Sequence, residues 1–385
     1  MTIPDLDLDL FTQASLCDPF ADYDVLRNAG PVVKLRRPDV YAMGRFEDVQ
    51  AALRAPDILL SGEGVGFSDA FNASKGHNVL QTDGDVHRRL RMAVMRPLTP
   101  ANLRAARADL KAMVVARVDA LKGVGEFDAM RALAAFLPVE AISHLVGLPE
   151  AGREQMLEWA AATFNVIGPD PLPQDMAVVA QVRAFIGSLD ESQLRDGSWA
   201  AQLFVAADKG QVSRADALAA ISAYIIPSLD TTILAKGHLL NLLATNPDQW
   251  AALRAQPQLI PQAVLESVRH SAVIRWFSRV AADDYPIGDQ VIPQGQRVML
   301  LYGSANRDER RYQAPHEFDI SREARDQLAW GSGVHMCAGM HLARLEMEVM
   351  LEALVEVGSS LAAGPPQVGV NQGLFGFEAL PFRID

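Results

Sequence analysis

The chain has 385 residues, 49% of them apolar and 21% charged, and carries a net charge of −12. That length can bury a large core as one big domain or two ordinary ones, and the acidity argues against a general nucleic-acid binder. Cys17 and Cys337, far apart and in unlike surroundings, exclude a disulfide framework and suit a reducing compartment.

The first ten residues are acidic and lack the basic and apolar regions of a secretory leader. No run of about 18 apolar residues marks a membrane span, so a cytoplasmic protein without membrane attachment is expected. Residues 18–30 predict a short helix closed by Gly30. Alternation over 31–35 and 40–44 predicts a pair of strands, and 46–55 returns to helical spacing. Residues 61–78 are rich in Gly, Ser and Asn. A loop of that length is usually functional or disordered, and Phe67 and Phe71 within it argue for order. The pattern over 85–121 is helical with a break at Pro97 and Pro100, and it opens on the basic run His87-Arg-Arg-Leu-Arg91. Helices are predicted over 127–148 and 150–166, then a loop from Gly168 and another helix ending near Leu189. The longest helical pattern covers 214–244, roughly 30 residues or ~45 Å. Shorter helices follow at 248–256 and 260–271. Strand-like runs at 274–280 and 298–302 precede an irregular stretch over 307–329, a helix over 338–357 and short closing strands. No linker, repeat or low-complexity tract divides the chain. Residues 1–385 therefore read as a single domain, mainly α with small β-sheets.

Between the irregular stretch and the last helix lies Trp330-Gly-Ser-Gly-Val-His-Met-Cys-Ala-Gly339. Its glycines let the backbone pass close to a flat ligand. A cysteine at a helix N-terminus has its thiolate favoured by free N–H groups and the helix dipole. Alone, Cys337 would more often be a small core hydrophobe. The spacing Trp330-Gly331-x-Gly333-x-His335-x-Cys337-x-Gly339, however, resembles the haem-binding loop of the cytochromes P450, with Trp330 in place of the usual Phe. The resemblance implies the P450 fold and haem b, with Cys337 as the iron ligand. It further implies O2 as co-substrate and electrons from NAD(P)H through a separate ferredoxin or flavin/iron–sulfur reductase.

Three more motifs stand in the family's order. Glu266-Ser-Val-Arg269 resembles its Glu-x-x-Arg helix, whose two side chains share a face and need a further partner when buried. His316 and Glu317, in the segment 315–322, stand where the family often has that partner, an Arg. His87-x-x-x-Arg91 places two side chains on one side of a helix; with Arg279 and His335 it matches the family's contacts to the haem propionates, which need cationic or hydrogen-bonding partners when buried. Gly331 and Gly339 complete the expected cofactor-binding set. The neighbouring Arg88 and Arg89 read as a solvated face or a dock for an acidic redox partner. Pro227-Ser-Leu-Asp-Thr-Thr232 resembles the family's Ala-Gly-x-Asp/Glu-Thr-Thr element, which gives Asp230 and Thr231 the catalytic role of delivering protons to dioxygen. Pro227 predicts a kink there.

Gly64-Val-Gly-Phe-Ser-Asp, Phe164-Asn-Val-Ile-Gly-Pro and Gly373-Leu-Phe-Gly-Phe are similar to stretches of the bacterial P450s that remove O-methyl groups from methoxylated aromatics. This implies a small aromatic substrate ringed by Phe67, Phe164 and Phe375, with Ile226, Ile274 and Phe277 near the methoxy group. Where relatives hold a benzoate carboxylate with Arg and Ser, this chain has Ser222, Ala223 and, roughly, Ser74 and His77. A neutral phenol ether of the guaiacol or syringol type is expected over a para-substituted aromatic acid, and an inward-facing Arg275 would reverse that preference. A peroxygenase or a haem sensor would keep Cys337 without needing the Asp230–Thr231 pair.

Overall fold

Four strands from the first sixty residues and two later strands build one sheet. In the computed structural model, which describes residues 2–73, 77–149, 155–225, 227–358 and 360–385, the predicted strand pair is β2 (Val33–Arg37) and β3 (Val40–Met43). They run antiparallel with Val33 opposite Ala42 and Leu35 opposite Val40, and these four residues are buried. An edge strand β1 (Asp5–Asp9) lies parallel to β2. Its Asp–Leu alternation is the period-2 signature of a half-buried strand, passed over in the sequence as mere acidity. Beyond β3 come β9 (Arg297–Leu301), β6 (Trp276–Ala281) and β4 (Leu59–Leu60), in the order β1-β2-β3-β9-β6-β4. Small sheets are formed by β7 (Tyr285–Ile287) with β8 (Gln290–Ile292) and by β11 (Gln367–Val368) with β12 (Phe377–Ala379). A third has the order β10-β13-β5, from Leu361–Ala363, Pro381–Ile384 and Phe127–Asp128.

Helices make up the rest. They are α1 (Gln13–Cys17), α2 (Phe20–Ala29), α3 (Phe46–Leu53), α4 (Asp69–Ala73), α5 (Gly84–Met95) and α6 (Pro100–Leu121). The region predicted as one helix over 127–148 is instead strand β5 followed by π-helical turns at Met130–Ala134 and Pro138–Gly147. Then come α7 (Met156–Asn165), α8 (Pro173–Ser188), α9 (Trp199–Asp208), α10 (Arg214–Ile225), α11 (Asp230–Thr245), α12 (Pro247–Ala255), α13 (Ile260–His270), α14 (Tyr302–Ala305) and α15 (Met340–Val357). The pattern read as one helix over 214–244 is thus two, α10 and α11. Pro227 can donate no backbone hydrogen bond, and around it side chains bond the backbone: Thr231 Oγ1 donates to the Pro227 carbonyl at 2.7 Å and Ser228 Oγ to that of Tyr224.

The largest core gathers Leu239, Leu240 and Leu243 of α11, Val264 and Val268 of α13, Val114 and Val118 of α6, and Met350 and Leu354 of α15. Met130–Gly147 and Arg214–Thr245 are, by length and apolar composition alone, able to cross a membrane, which the sequence had not suggested. Both contribute residues to this core.

Glu266 and Arg269, each fully buried, form a two-pronged pair, with Arg269 Nε and Nη2 both 2.7 Å from the carboxylate. The missing third partner is Arg322, whose Nε reaches Glu266 Oε1 at 3.1 Å. Arg269 also donates to the carbonyls of Asn306, Pro315 and Glu317 at 2.9, 2.8 and 3.1 Å. Helix α13 is thereby fastened to the irregular stretch that leads into the cysteine loop.

Candidate active site

That loop closes one side of a cavity with about 1470 Å³ of space free of protein atoms, part of it open to solvent. Gly331 and Gly333 have φ of 72° and 71°, where a side chain is strained, and a Cβ on Gly333 would sit 2.6 Å from the Leu53 carbonyl oxygen. The Cys337 N–H donates to the Trp330 carbonyl at 2.8 Å, drawing the loop into a tight turn. Trp330, Gly331, His335, Cys337 and Gly339 all line the cavity. The Cys337 side chain is exposed, but to this cavity and within a protein shell. Burial pushes its thiol up, against the N–H groups of Gly339 and Met340 and the charge of Arg91. Among the described residues no three His, Cys, Asp or Glu side chains converge as a protein-only metal site does. A metal at Cys337 would have to bring its other ligands with it.

His87, Arg91, Arg279 and His335 come together on the same cavity. The two imidazole rings are 4.1 Å apart between centroids, and His335 Nε2 lies 3.4 Å from Asp83 Oδ1. His87 is 5% exposed, its Nε2 has no hydrogen-bond partner among the described residues, and burial with the positive charges of His335 and Arg91 lowers its pKa to about 4. Burial also lowers the pKa of Arg91, while the charge of Cys337 raises it. Arg279 is 3% exposed and held by the Ser278 carbonyl at 2.8 Å. A buried nitrogen left without a partner, as on His87, is costly unless an anion or another group meets it. Haem fits these residues: its carboxylates would answer the His87 nitrogen and the two guanidiniums, the glycine backbone leaves room for a flat ring, and Cys337 offers the sulfur.

Pro227, Ser228, Thr231, Thr232 and Ala235 also line the cavity. Asp230 opens α11 beside them but is not part of the wall, and burial pushes its carboxyl up to about 7. Of the six expected substrate contacts, Phe164, Ile274 and Phe277 line the cavity, joined by Val79, Leu80, Ala223 and Val273. Ala223 stands at a position already matched to a substrate contact of the relatives; Val79, Leu80 and Val273 carry no motif, and only the folded chain brings them there. Phe67 and Phe375 do not line it. Phe67 stacks on Trp276 with centroids 4.3 Å apart, because its N–H donates to the Ile167 carbonyl at 2.7 Å and draws the loop back. Phe375 packs edge-on against Phe20 at 5.7 Å and under the Arg275 guanidinium at 5.1 Å. Ile226 and Ser74 lie outside the described residues. Arg275 is buried and turned away, its Nε donating to the Leu374 carbonyl at 2.7 Å and its Nη2 to that of Leu16. His77 is bound to the buried carboxylate of Asp216 at 2.7 Å, which also takes Arg89 at 2.8 Å, and Arg88 pairs with Asp85 at 2.7 Å.

Comparison with known proteins agrees with this geometry. A family model described as Cytochrome P450 matches residues 187–357. Cytochrome P450 CYP199A2 of Rhodopseudomonas palustris is 34% identical, over 99% of this chain and 95% of that protein. The 6-deoxyerythronolide B hydroxylase of Saccharopolyspora erythraea is 30% identical, over 100% and 99%. Among solved structures, Mycobacterium marinum cytochrome P450 CYP268A2 in complex with pseudoionone superposes with a TM-score of 0.89 at 27% identity, covering 100% of both chains.

Proposed function

The chain belongs to the cytochrome P450 family, and from that premise we propose that it removes the methyl group of a neutral methoxylated phenol of the guaiacol or syringol type, releasing formaldehyde. As a member of the family it is a haem-thiolate monooxygenase that takes O2 and electrons drawn from NAD(P)H through a redox partner. For this chain the partner we propose is a ferredoxin or a flavin/iron–sulfur reductase.

The observation that carries the substrate reading is the character of the cavity away from the cysteine loop. Val79, Leu80, Phe164, Ala223, Val273, Ile274 and Phe277 supply an apolar wall, and Arg275 is committed to backbone carbonyls behind it. A substrate carboxylate buried there would lack a counter-ion, which is costly, whereas a phenol ether loses little. Ser228, Thr231 and Thr232 supply the hydroxyls that a phenol can meet.

In this reading haem, when bound, supplies the reductive activation of O2 that places one oxygen on the methyl carbon. The chain's residues do the rest. Cys337 is the iron ligand. His87, Arg91, Arg279 and His335 hold the two propionates, while Gly331 and Gly339 let the ring approach the backbone. Phe164, Ile274 and Phe277 orient the methoxy carbon and exclude water. Thr231 holds a proton at Oγ1. Asp230, with its carboxyl near 7, passes protons toward it at neutral pH, the condition for efficient general acid–base work. The hydroxymethyl ether formed is a hemiacetal, which collapses to a phenol and formaldehyde.

Optical titration tests this. Guaiacol or syringol should move the Soret band toward the high-spin form, and turnover with a reductase should release formaldehyde. A shift with 4-methoxybenzoate and none with any methoxyphenol would refute the neutral-substrate reading in favour of an aromatic acid.

A further inference from the structure

Nine residues past Cys337, helix α15 brings a carboxylic residue to the cavity wall. Glu346 lines it and is 1% exposed. Its Oε2 accepts a 2.8 Å hydrogen bond from Nζ of Lys236 on α11, whose residue exposure is 0%. Lys236 is not part of the wall. The residue that carries the carboxylate thus borders the cavity, and the one that carries the ammonium does not. Neither makes another ion pair among the described residues.

Stability alone does not account for such a pair. Well-packed apolar side chains in place of a buried ion pair are often neutral or stabilising. Each member needs the other to stay charged, since a lone buried carboxyl takes up a proton and a lone buried amine gives one up. Burial does pull the Lys236 ammonium down, and Glu346 works against it. What the pair adds is a field. Charges in a dry interior act over distances at which water would screen them.

We propose that Glu346, ion-paired with Lys236, presents a fixed negative charge to the haem cavity and so lowers the tendency of the iron to accept an electron. The inference rests on haem occupying the cavity beside Cys337. Lys236 is then a positioning residue that acts through Glu346.

The test is the midpoint potential of the substrate-free holoprotein. The double variant Lys236→Met/Glu346→Met removes both charges at similar volume, and its urea midpoint should stay close to the parent's. At a fixed poise its ratio of reduced to oxidised iron should rise at least about threefold, roughly 28 mV at 59 mV per tenfold for one electron. Glu346→Gln should move the potential in the same direction, and it serves if the double variant does not fold. A smaller rise, or a fall, in a variant that keeps its reduced-CO band near 450 nm overturns the proposal. Absence of that band in the unaltered holoprotein would instead overturn the assignment of Cys337, so the two failures are distinguishable.

Discussion

Replacing Asp230 by Asn separates stability from function at a single atom pair. Burial moves the Asp230 carboxyl from 3.8 to about 7. Between those values the folded protein keeps a proton that the unfolded chain has released, so stability falls as pH rises through the window and levels off above 7. A difference of about 3 in pKa at ~1.36 kcal/mol for each is about 4 kcal/mol, a large part of the 5–15 kcal/mol that roughly bounds domain stability. Asparagine keeps the shape and never ionises. Asp230→Asn should therefore match the parent within about 1 kcal/mol at pH 4 and exceed it by about 4 kcal/mol at pH 8.5, read by urea unfolding under far-UV circular dichroism. On the proposed function the same variant should yield less formaldehyde per O2 consumed, because it breaks the proton path proposed through Asp230. Stability profiles that run parallel from pH 4 to 8.5 would refute the reasoning, as would a variant less stable than the parent at high pH.

Other substitutions test the frame and the cavity. Arg269→Met removes both prongs from the buried Glu266 carboxylate, leaving it Arg322 alone as a cation, and strands three carbonyls; it should cost about 3–5 kcal/mol. Arg322→Met leaves the two-pronged pair intact and should cost only about 1 kcal/mol, so urea midpoints rank the two. His87→Ala removes the donor proposed to meet a haem propionate, worth about 1.5 kcal/mol; haem transfer to apomyoglobin should quicken roughly tenfold. Phe67→Ala, at a partly buried ring, should destabilise by about 1–3 kcal/mol and leave the guaiacol-induced Soret titration unmoved. Phe277→Ala should shift that titration.

Chemistry confined to one short segment was legible in the sequence. The turn from Trp330 to Gly339 and the i,i+4 pair His87 and Arg91 are local patterns, and the fold brings their side chains to one cavity. Chemistry shared between distant segments was not. Arg322 sits among several candidate arginines, and only the path of the irregular stretch brings its Nε to Glu266. Phe67 and Phe375 have the composition of a pocket wall, but one backbone hydrogen bond to Ile167 and the stacking surface of Trp276 decide where Phe67 goes. Helical period carried the reading across Pro227, yet the missing N–H divided the run into α10 and α11. Helix α9 went unread, for its near-continuous apolar sequence buries most of its surface and leaves no polar face to set a period.

The two ends of the chain differ in how much holds them. Strand β1 has a neighbour on one side only, and its leucines are partly covered. Strand β13 runs between β10 and β5 and buries Phe382 and Ile384. Trimming the first nine residues would strip an edge and leave β2 as the new border. Trimming the last five would unpair two strands at once and open the main core. A reductase fused for single-chain turnover would therefore sit best after a spacer beyond Asp385, while a purification tag at the N-terminus touches only a border strand.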